Sequence, residues 1–254
     1  MDRPRLDYDR ISGSYNSRYA DNRLDGIERA LAEIASRYGD PRVLEVGCGT
    51  GRWLDGLQRV TRSVYGVDAS IGMLTQARTL VGPARLVNAR ANDLPFSGSR
   101  FDVIYSVNAI HHFDDPKEFM MNAGRLLRPG GCLATIGIDP RAIRKRYPYD
   151  YFEGAFELDI RRYPSFGQLV DWSSEAGLDA VELRIVECSG LKFKGREVLT
   201  DRFLGKDSNS LLALLTDEVY ERGLAKIHAA IEAHNDVEFD SNLLFGMVTA
   251  VKPQ

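Results

Sequence analysis

The densest chemical signal in the chain is the run Val43-Leu44-Glu45-Val46-Gly47-Cys48-Gly49-Thr50-Gly51-Arg52-Trp53-Leu54, an apolar stretch that opens into alternating glycines and then a helix-period segment. Glycine permits a sharp turn and lets a ligand approach backbone that a Cβ would obstruct. The spacing is G-x-G-x-G, whereas a pyrophosphate-binding fingerprint reads G-x-G-x-x-G, so a nucleotide-type ligand fits better than a dinucleotide. Glu45 precedes the loop, and the next apolar run ends in Gly66-Val67-Asp68. A carboxylate at such a strand end can accept both hydroxyls of a ribose. The competing role for Asp68 is a cap on the helix that begins near Ser70.

Two of the four histidines, His111 and His112, fall together in the stretch Ser106 to Phe113. Imidazole titrates near neutrality and could take a proton from a hydroxyl or amine; the alternative is that the pair packs against a ligand or caps the following turn. Trp53 either faces the ligand or packs with Leu54 and Leu57. Arg144, Lys145, Arg146, Arg161 and Arg162 alternate with Tyr147, Tyr149, Tyr151 and Tyr163, a mixture suited to an acidic or aromatic ligand and equally to a solvated lid edge. His228 and His234 read as surface or packing residues. The sequence has no spacing of metal ligands.

These residues need elements to hold them. Between Arg42 and Asp139, apolar runs (VLEV, SVYGV, ARLVNA, FDVIYSV, CLATIGI) alternate with helices starting near Thr50, Ser70 and Pro116, the pattern of a parallel sheet wound by crossovers. Pro129-Gly130-Gly131 ends the last of these helices. Right-handed crossovers place the carboxyl ends of the strands along one edge, where open α/β sheets bind ligands. Six regions follow: 1–40 as an N-terminal helical cover, 41–139 as the α/β core, 140–165 as a lid-like insertion, 166–189 as a continuation of the core, 190–240 as a helical substrate cover, and 241–254 as the final strand.

Composition narrows the function classes. Hydrophobic residues make up 44% and charged residues 27%, a globular balance. The net charge of −3 argues against holding a phosphate backbone by bulk electrostatics, so no nucleic-acid partner is expected. Cys48, Cys132 and Cys188 are dispersed and odd in number, which suggests a reducing compartment. The sequence lacks a secretory leader and an apolar run long enough to span a membrane, so a cytoplasmic protein without a membrane partner is expected.

Taken in order, YDRISGSYN, VLEVGCGTG, YGVDASIGML, NDLPFSGSRFDVIYSVNAIHHF and RLLRPGG before CLATIGI resemble the class I S-adenosylmethionine-dependent methyltransferases. The similarity is greatest to the ubiquinone/menaquinone-biosynthesis-like group of small-molecule methyltransferases. The resemblance covers Tyr8 to Ile138 and becomes loose beyond Pro140. It implies a doubly wound, mostly parallel seven-stranded α/β sheet with helical cover insertions, and S-adenosyl-L-methionine as cofactor. It also implies that Glu45, Gly47, Gly49 and Gly51 line the methionine moiety, that Asp68 holds the ribose, and that Ala69 and Met73 flank the adenine. Cys48 and Ser106 join the cofactor-binding candidates. Tyr8 and Tyr15 would cover the methionine end, by ring-face contact with the sulfonium or by simple apolar cover.

One departure stands out. Such families carry a D-A pair before the LPF block, and here the aligned pair is Arg90-Ala91. An arginine cannot accept from the adenine amino group, so that contact passes to Asn92, Asp93 or a backbone carbonyl, with Ala91 and Asn92 kept as site candidates. A base-amino methyltransferase would show an Asn-Pro-Pro-aromatic sequence after the fourth strand, which is absent. The expected reaction is methyl transfer to an oxygen, nitrogen or carbon nucleophile of a small-molecule acceptor, aromatic ones included, with His111 and His112 as the catalytic candidates. A catalytically silent cofactor-binding regulatory protein is the alternative. The sequence leaves the acceptor and the oligomeric state open.

Overall fold

The computed structural model describes residues 24–82, 84–143 and 145–254. Tyr8, Tyr15 and Arg144, singled out above, lie outside the described residues. Seven strands form one sheet in the order β3-β2-β1-β4-β5-β7-β6. They are β1 (Arg42–Val46), β2 (Ser63–Asp68), β3 (Arg85–Asn88), β4 (Phe101–Val107), β5 (Leu127–Ile138), β6 (Asp179–Lys194) and β7 (Glu238–Val251). Strands β1 to β5 pair in parallel, and β7 runs antiparallel to both β5 and β6. The order reverses at β1, which places a crevice at the carboxyl ends of β1 and β4, the switch point of a doubly wound sheet.

The central strands read as unbroken apolar runs because both faces are covered. On one face α1 (Asp25–Ser36) and α2 (Arg52–Leu57) bring Ile27, Leu31, Ile34 and Leu54 against Val43, Val103 and Tyr105. On the other, Phe119 and Met120 of α4 (Pro116–Leu126) and Phe166 and Leu169 of α7 (Phe166–Glu175) pack on Leu44, Val46, Ile104 and Leu133. Helix starts follow local chemistry. Ser70 caps α3 (Ile71–Val81) by accepting from Met73 N at 3.0 Å, and Asp115 caps α4, with Pro116 in its first turn.

The remaining elements build a separate core. Tyr147 of α5 (Tyr147–Tyr151), Phe152, Leu211, Leu212, and Ile227 and Ile231 of α8 (Asp217–Ala233) surround Phe239 of β7. Gly223 lets α8 close on Phe152, since a Cβ there would sit 2.2 Å from the Phe152 ring. Each fully buried phenylalanine of this kind contributes about 1.5–3 kcal/mol. The segments 140–165 and 190–240 therefore share one core. Helix α6 (Ala155–Arg162) joins them through the Arg162 hydrogen bond to Ser210.

Two boundaries differ from the sequence reading. Residues 190–194 and 238–240, assigned to a helical segment, are strand: β6 and β7 continue as a two-stranded ribbon, with Gly190 opposite Asn242 and Lys194 opposite Glu238. The alternation Leu191-Lys192-Phe193-Lys194 has strand period, too short to stand out from sequence alone. Likewise Pro129-Gly130-Gly131 lies inside β5, where the register to β4 shifts between Phe101 and Val103. There the Gly130 amide bonds the Lys252 carbonyl at 2.8 Å.

Candidate functional site

The bend after β1 is built by glycine conformations. Gly47, Gly49 and Gly51 have φ of +75°, +51° and +83°, the left-handed region that L side chains resist. The amides of Gly47 and Cys48 bond the Val67 carbonyl at 2.8 and 3.0 Å, docking the bend on the end of β2. Asp68 then completes the turn: one carboxylate oxygen accepts from Gly49 N at 2.8 Å and the other from Ser70 N at 2.9 Å. Its role in shaping the start of α3 is thus real, although Ser70 is the cap.

The bend borders a cavity of about 440 Å³, within the ~300–1,000 Å³ typical of small-molecule sites. A Cβ at Gly49 would meet no atom within 4 Å. A Cβ at Gly47 would strike Ala109 at 2.5 Å and Phe113 at 3.2 Å. The cavity thus rests on bare backbone. Asn108, opposite, holds φ +49°, a conformation asparagine tolerates.

Acidity dominates the floor. Glu45 is buried beneath the bend, and Tyr105 Oη donates to its Oε2 at 3.1 Å while Oε1 has no partner. Burial pushes this carboxyl well above its ordinary range, against the Tyr105 hydrogen bond, and the nearby Asp68 charge adds to the rise. A buried orphan acceptor facing a ligand-sized cavity suits a cationic donor. Burial also drives the Cys48 thiol far up, with the Glu45 and Asp68 charges reinforcing it, so Cys48 is wall and not nucleophile.

Most of the sequence candidates meet here. Glu45, Gly47, Cys48, Gly49, Asp68, Ala69, Met73, Ala91, Asn92 and His112 all border the cavity. Gly51, Asp93, Ser106 and His111 do not. Gly51 serves packing, since a Cβ would fall 2.7 Å from Val81 on α3. Asp93 is exposed, and its amide bonds the Arg90 carbonyl. Ser106 is buried within the sheet with an unpartnered hydroxyl. His111 is buried and stacks on Tyr163 at 3.9 Å between centroids, and the His112 ring centre lies 3.8 Å from its own. Tyr15 lies outside the described residues.

Asn92 borders the cavity, but its side-chain amide donates to the Asp115 carbonyl and to Glu118 at 2.9 and 2.7 Å, tying the loop to α4. The aligned Arg90 pairs with Asp114 at 3.0 Å on the rim. Sequence reasoning passed over Asn88, whose Nδ2 bonds the carbonyls of Asp68 and Ala69, each at 3.0 Å, and so fixes the β2 end from β3. Its position at a strand terminus beside Asp68 was the available signal. Trp53 both borders the cavity and belongs to the core with Leu54 and Leu57. Among the described residues no group of three or more His, Cys, Asp or Glu could hold a metal ion, and no helix is long and apolar enough to cross a membrane.

A doubly wound sheet with an acid-floored, glycine-bordered cavity at its switch point defines a class of nucleoside-binding α/β proteins, and comparison with known proteins specifies it further. Residues 44–135 match the methyltransferase domain family. The ubiquinone biosynthesis O-methyltransferase of Mesorhizobium japonicum is 31% identical over 182 residues, covering 63% of this chain and 71% of that protein. The O-methyltransferase rstn1 of Aspergillus nomiae is 31% identical over 121 residues, covering 44% of this chain and 53% of that protein. The chain spans about half the length of the first curated relatives it matches. Among solved structures, phosphoethanolamine N-methyltransferase 2 of Haemonchus contortus, in complex with S-adenosyl-L-methionine, superposes with a TM-score of 0.62 at 19% identity, over 97% of this chain and 57% of that one. The Bacillus halodurans protein BH2331 gives 0.62 at 21%, over 89% and 99%. The chain belongs to the class I S-adenosylmethionine-dependent methyltransferase family.

Proposed function

We propose that the chain transfers a methyl group from S-adenosyl-L-methionine to a nucleophilic oxygen, nitrogen or carbon of a small molecule. Oxygen is favoured, because the relatives above carry O-methyltransferase in their names. The observation that carries this reading is the convergence of the Gly49 backbone, the Asp68 carboxylate and the unpartnered Glu45 oxygen on one cavity. The bound cofactor supplies a sulfonium-activated methyl group.

The chain's own residues supply position. Glu45 and the bare backbone at Gly47 and Gly49 suit the ammonium and carboxylate of an amino-acid end, Asp68 suits ribose hydroxyls, and Met73, Ala69 and Ala91 suit a flat base. Since the thioether leaves neutral, alignment and exclusion of water are the main demands on the protein, and the role proposed for the segments 140–165 and 190–240, which share one core, is to cover the site. His112, which borders the cavity, is the candidate base for an acceptor hydroxyl or amine; His111, stacked on Tyr163, positions it. Incubation with methyl-labelled cofactor and a broad acceptor panel tests the proposal. Turnover supports it, and saturable cofactor binding without turnover of any acceptor would make the chain a binding protein instead.

A further inference from the structure

The cover carries a charge imbalance that the cofactor site leaves unexplained. Asp159 is buried and accepts from Arg146 at 3.0 Å, from Arg162 at 3.0 Å and from Tyr149 Oη at 2.9 Å. Arg162 is 1% exposed and also donates to Ser210 Oγ at 3.2 Å; Arg146 also donates to Tyr149 Oη at 2.8 Å. Two guanidinium groups thus share one carboxylate, and the Nε of each is buried without an acceptor. Arg141, a further cation on this insertion, has its own carboxylate in Asp139 at 3.0 Å.

Such an arrangement is costly to keep. A buried, unmatched cation and two buried donors without partners disfavour the fold, and an anionic ligand is one way to supply the missing charge. The phenols do not supply it: burial and the Asp159 charge push Tyr149 and Tyr163 far up, so both stay neutral near pH 7. The location is informative as well. The Arg162 guanidinium lies 5.6 Å from the Tyr163 ring centre, Tyr163 stacks on His111, and His111 abuts His112 at the cavity. Two rings, those of Tyr163 and His111, therefore link the cluster to His112, the candidate base.

We propose that the methyl acceptor is an anion, its carboxylate or phosphate matched by the excess positive charge of Arg146 and Arg162 while its nucleophile reaches the cavity beside His112. This rests on the methyltransferase reading and names its substrate class. In the low-dielectric cover, the same charge disfavours cationic acceptors.

The test titrates benzoate and phenyl phosphate, with benzamide and phenol as neutral counterparts, into the full chain with and without saturating S-adenosylhomocysteine. Binding is followed by the ring-proton resonances of the histidines. The wild type is expected to bind both anions in preference to their neutral counterparts. Arg146→Gln, at the more exposed end of the cluster, should weaken anion binding roughly tenfold or more, and Arg162→Lys, which keeps the charge, should retain the preference for anions. Equal binding of benzamide and benzoate, no binding of either anion, or anion affinity unchanged in Arg146→Gln overturns the proposal and leaves the cluster as a structural clamp. Failure of S-adenosylhomocysteine itself to bind would overturn the methyltransferase reading, an outcome separate from the anion preference read in its absence.

Discussion

Asp68 accepts a 2.8 Å hydrogen bond from the Gly49 amide, which makes the end of β2 part of the glycine bend that follows β1. A charged acceptor on a backbone N–H is among the stronger hydrogen bonds, so one carboxylate both shapes the bend and borders the cavity. Changes on either side of this contact should therefore be felt on the other.

Gly47→Ala tests the bend directly. The new Cβ would sit 2.5 Å from Ala109 Cβ at a φ of +75°, combining overlap with backbone strain. Unfolding by urea should show a loss of about 1–3 kcal/mol, and the folded protein should bind S-adenosylhomocysteine more weakly. Unchanged stability and affinity would mean that the loop is slack.

Glu45 predicts a pH dependence. Its carboxyl titrates well above 4.5 in the fold because burial penalises the charge, so folding favours the protonated form. The stability this group contributes is present at and below the ordinary carboxylate range and is lost as pH rises through the raised folded value. Glu45→Gln, which never ionises, should flatten the decline of the urea midpoint as pH rises above the ordinary carboxylate range in ligand-free protein. A cation entering the cavity favours the carboxylate, so calorimetric cofactor binding should release a proton and its heat should vary with the buffer. A buffer-independent heat would contradict this.

The histidines should separate. His112→Asn is expected to lower kcat by roughly 10²–10⁴ at unchanged cofactor affinity, the usual scale for losing a general base. His111→Phe keeps a ring against Tyr163 and should cost far less. Equal losses in the two variants would assign the pair a packing role.

On α6, Asp159→Asn would leave Arg146 and Arg162 without their shared carboxylate. Breaking a buried pair on one side costs about 3–5 kcal/mol, so the variant should melt markedly earlier. A melting temperature within error of the wild type would show that the cluster is solvated.

The sheet and cavity were legible in sequence to very different depths. Val43 to Val46 and Gly47 to Gly51 announce strand and bend together because a parallel strand buried on both faces is continuously apolar and the bend admits little besides glycine. Asp68 was legible for the same reason, sitting where a strand must end. What escaped depends on contacts distant in sequence. Asn92 reads as a ligand residue until α4 claims its amide, and Asn88 reads as nothing until β3 lies beside β2. His111 and His112 are indistinguishable as neighbours, and the tight turn Ile110–His112 with Tyr163 against it separates them. The ribbon at Leu191 to Lys194 escaped because half-exposed strands away from the core carry only a weak period.

The most direct measurement is calorimetric titration of S-adenosylhomocysteine into the wild type and Asp68→Asn. The amide can still accept from Gly49 but cannot offer a charged acceptor to two hydroxyls. Saturable 1:1 binding by the wild type, weakened roughly tenfold or more in the variant, is the predicted result. No binding by the wild type, or equal affinity in the two proteins, would contradict the assignment of the cavity to an adenosyl ligand.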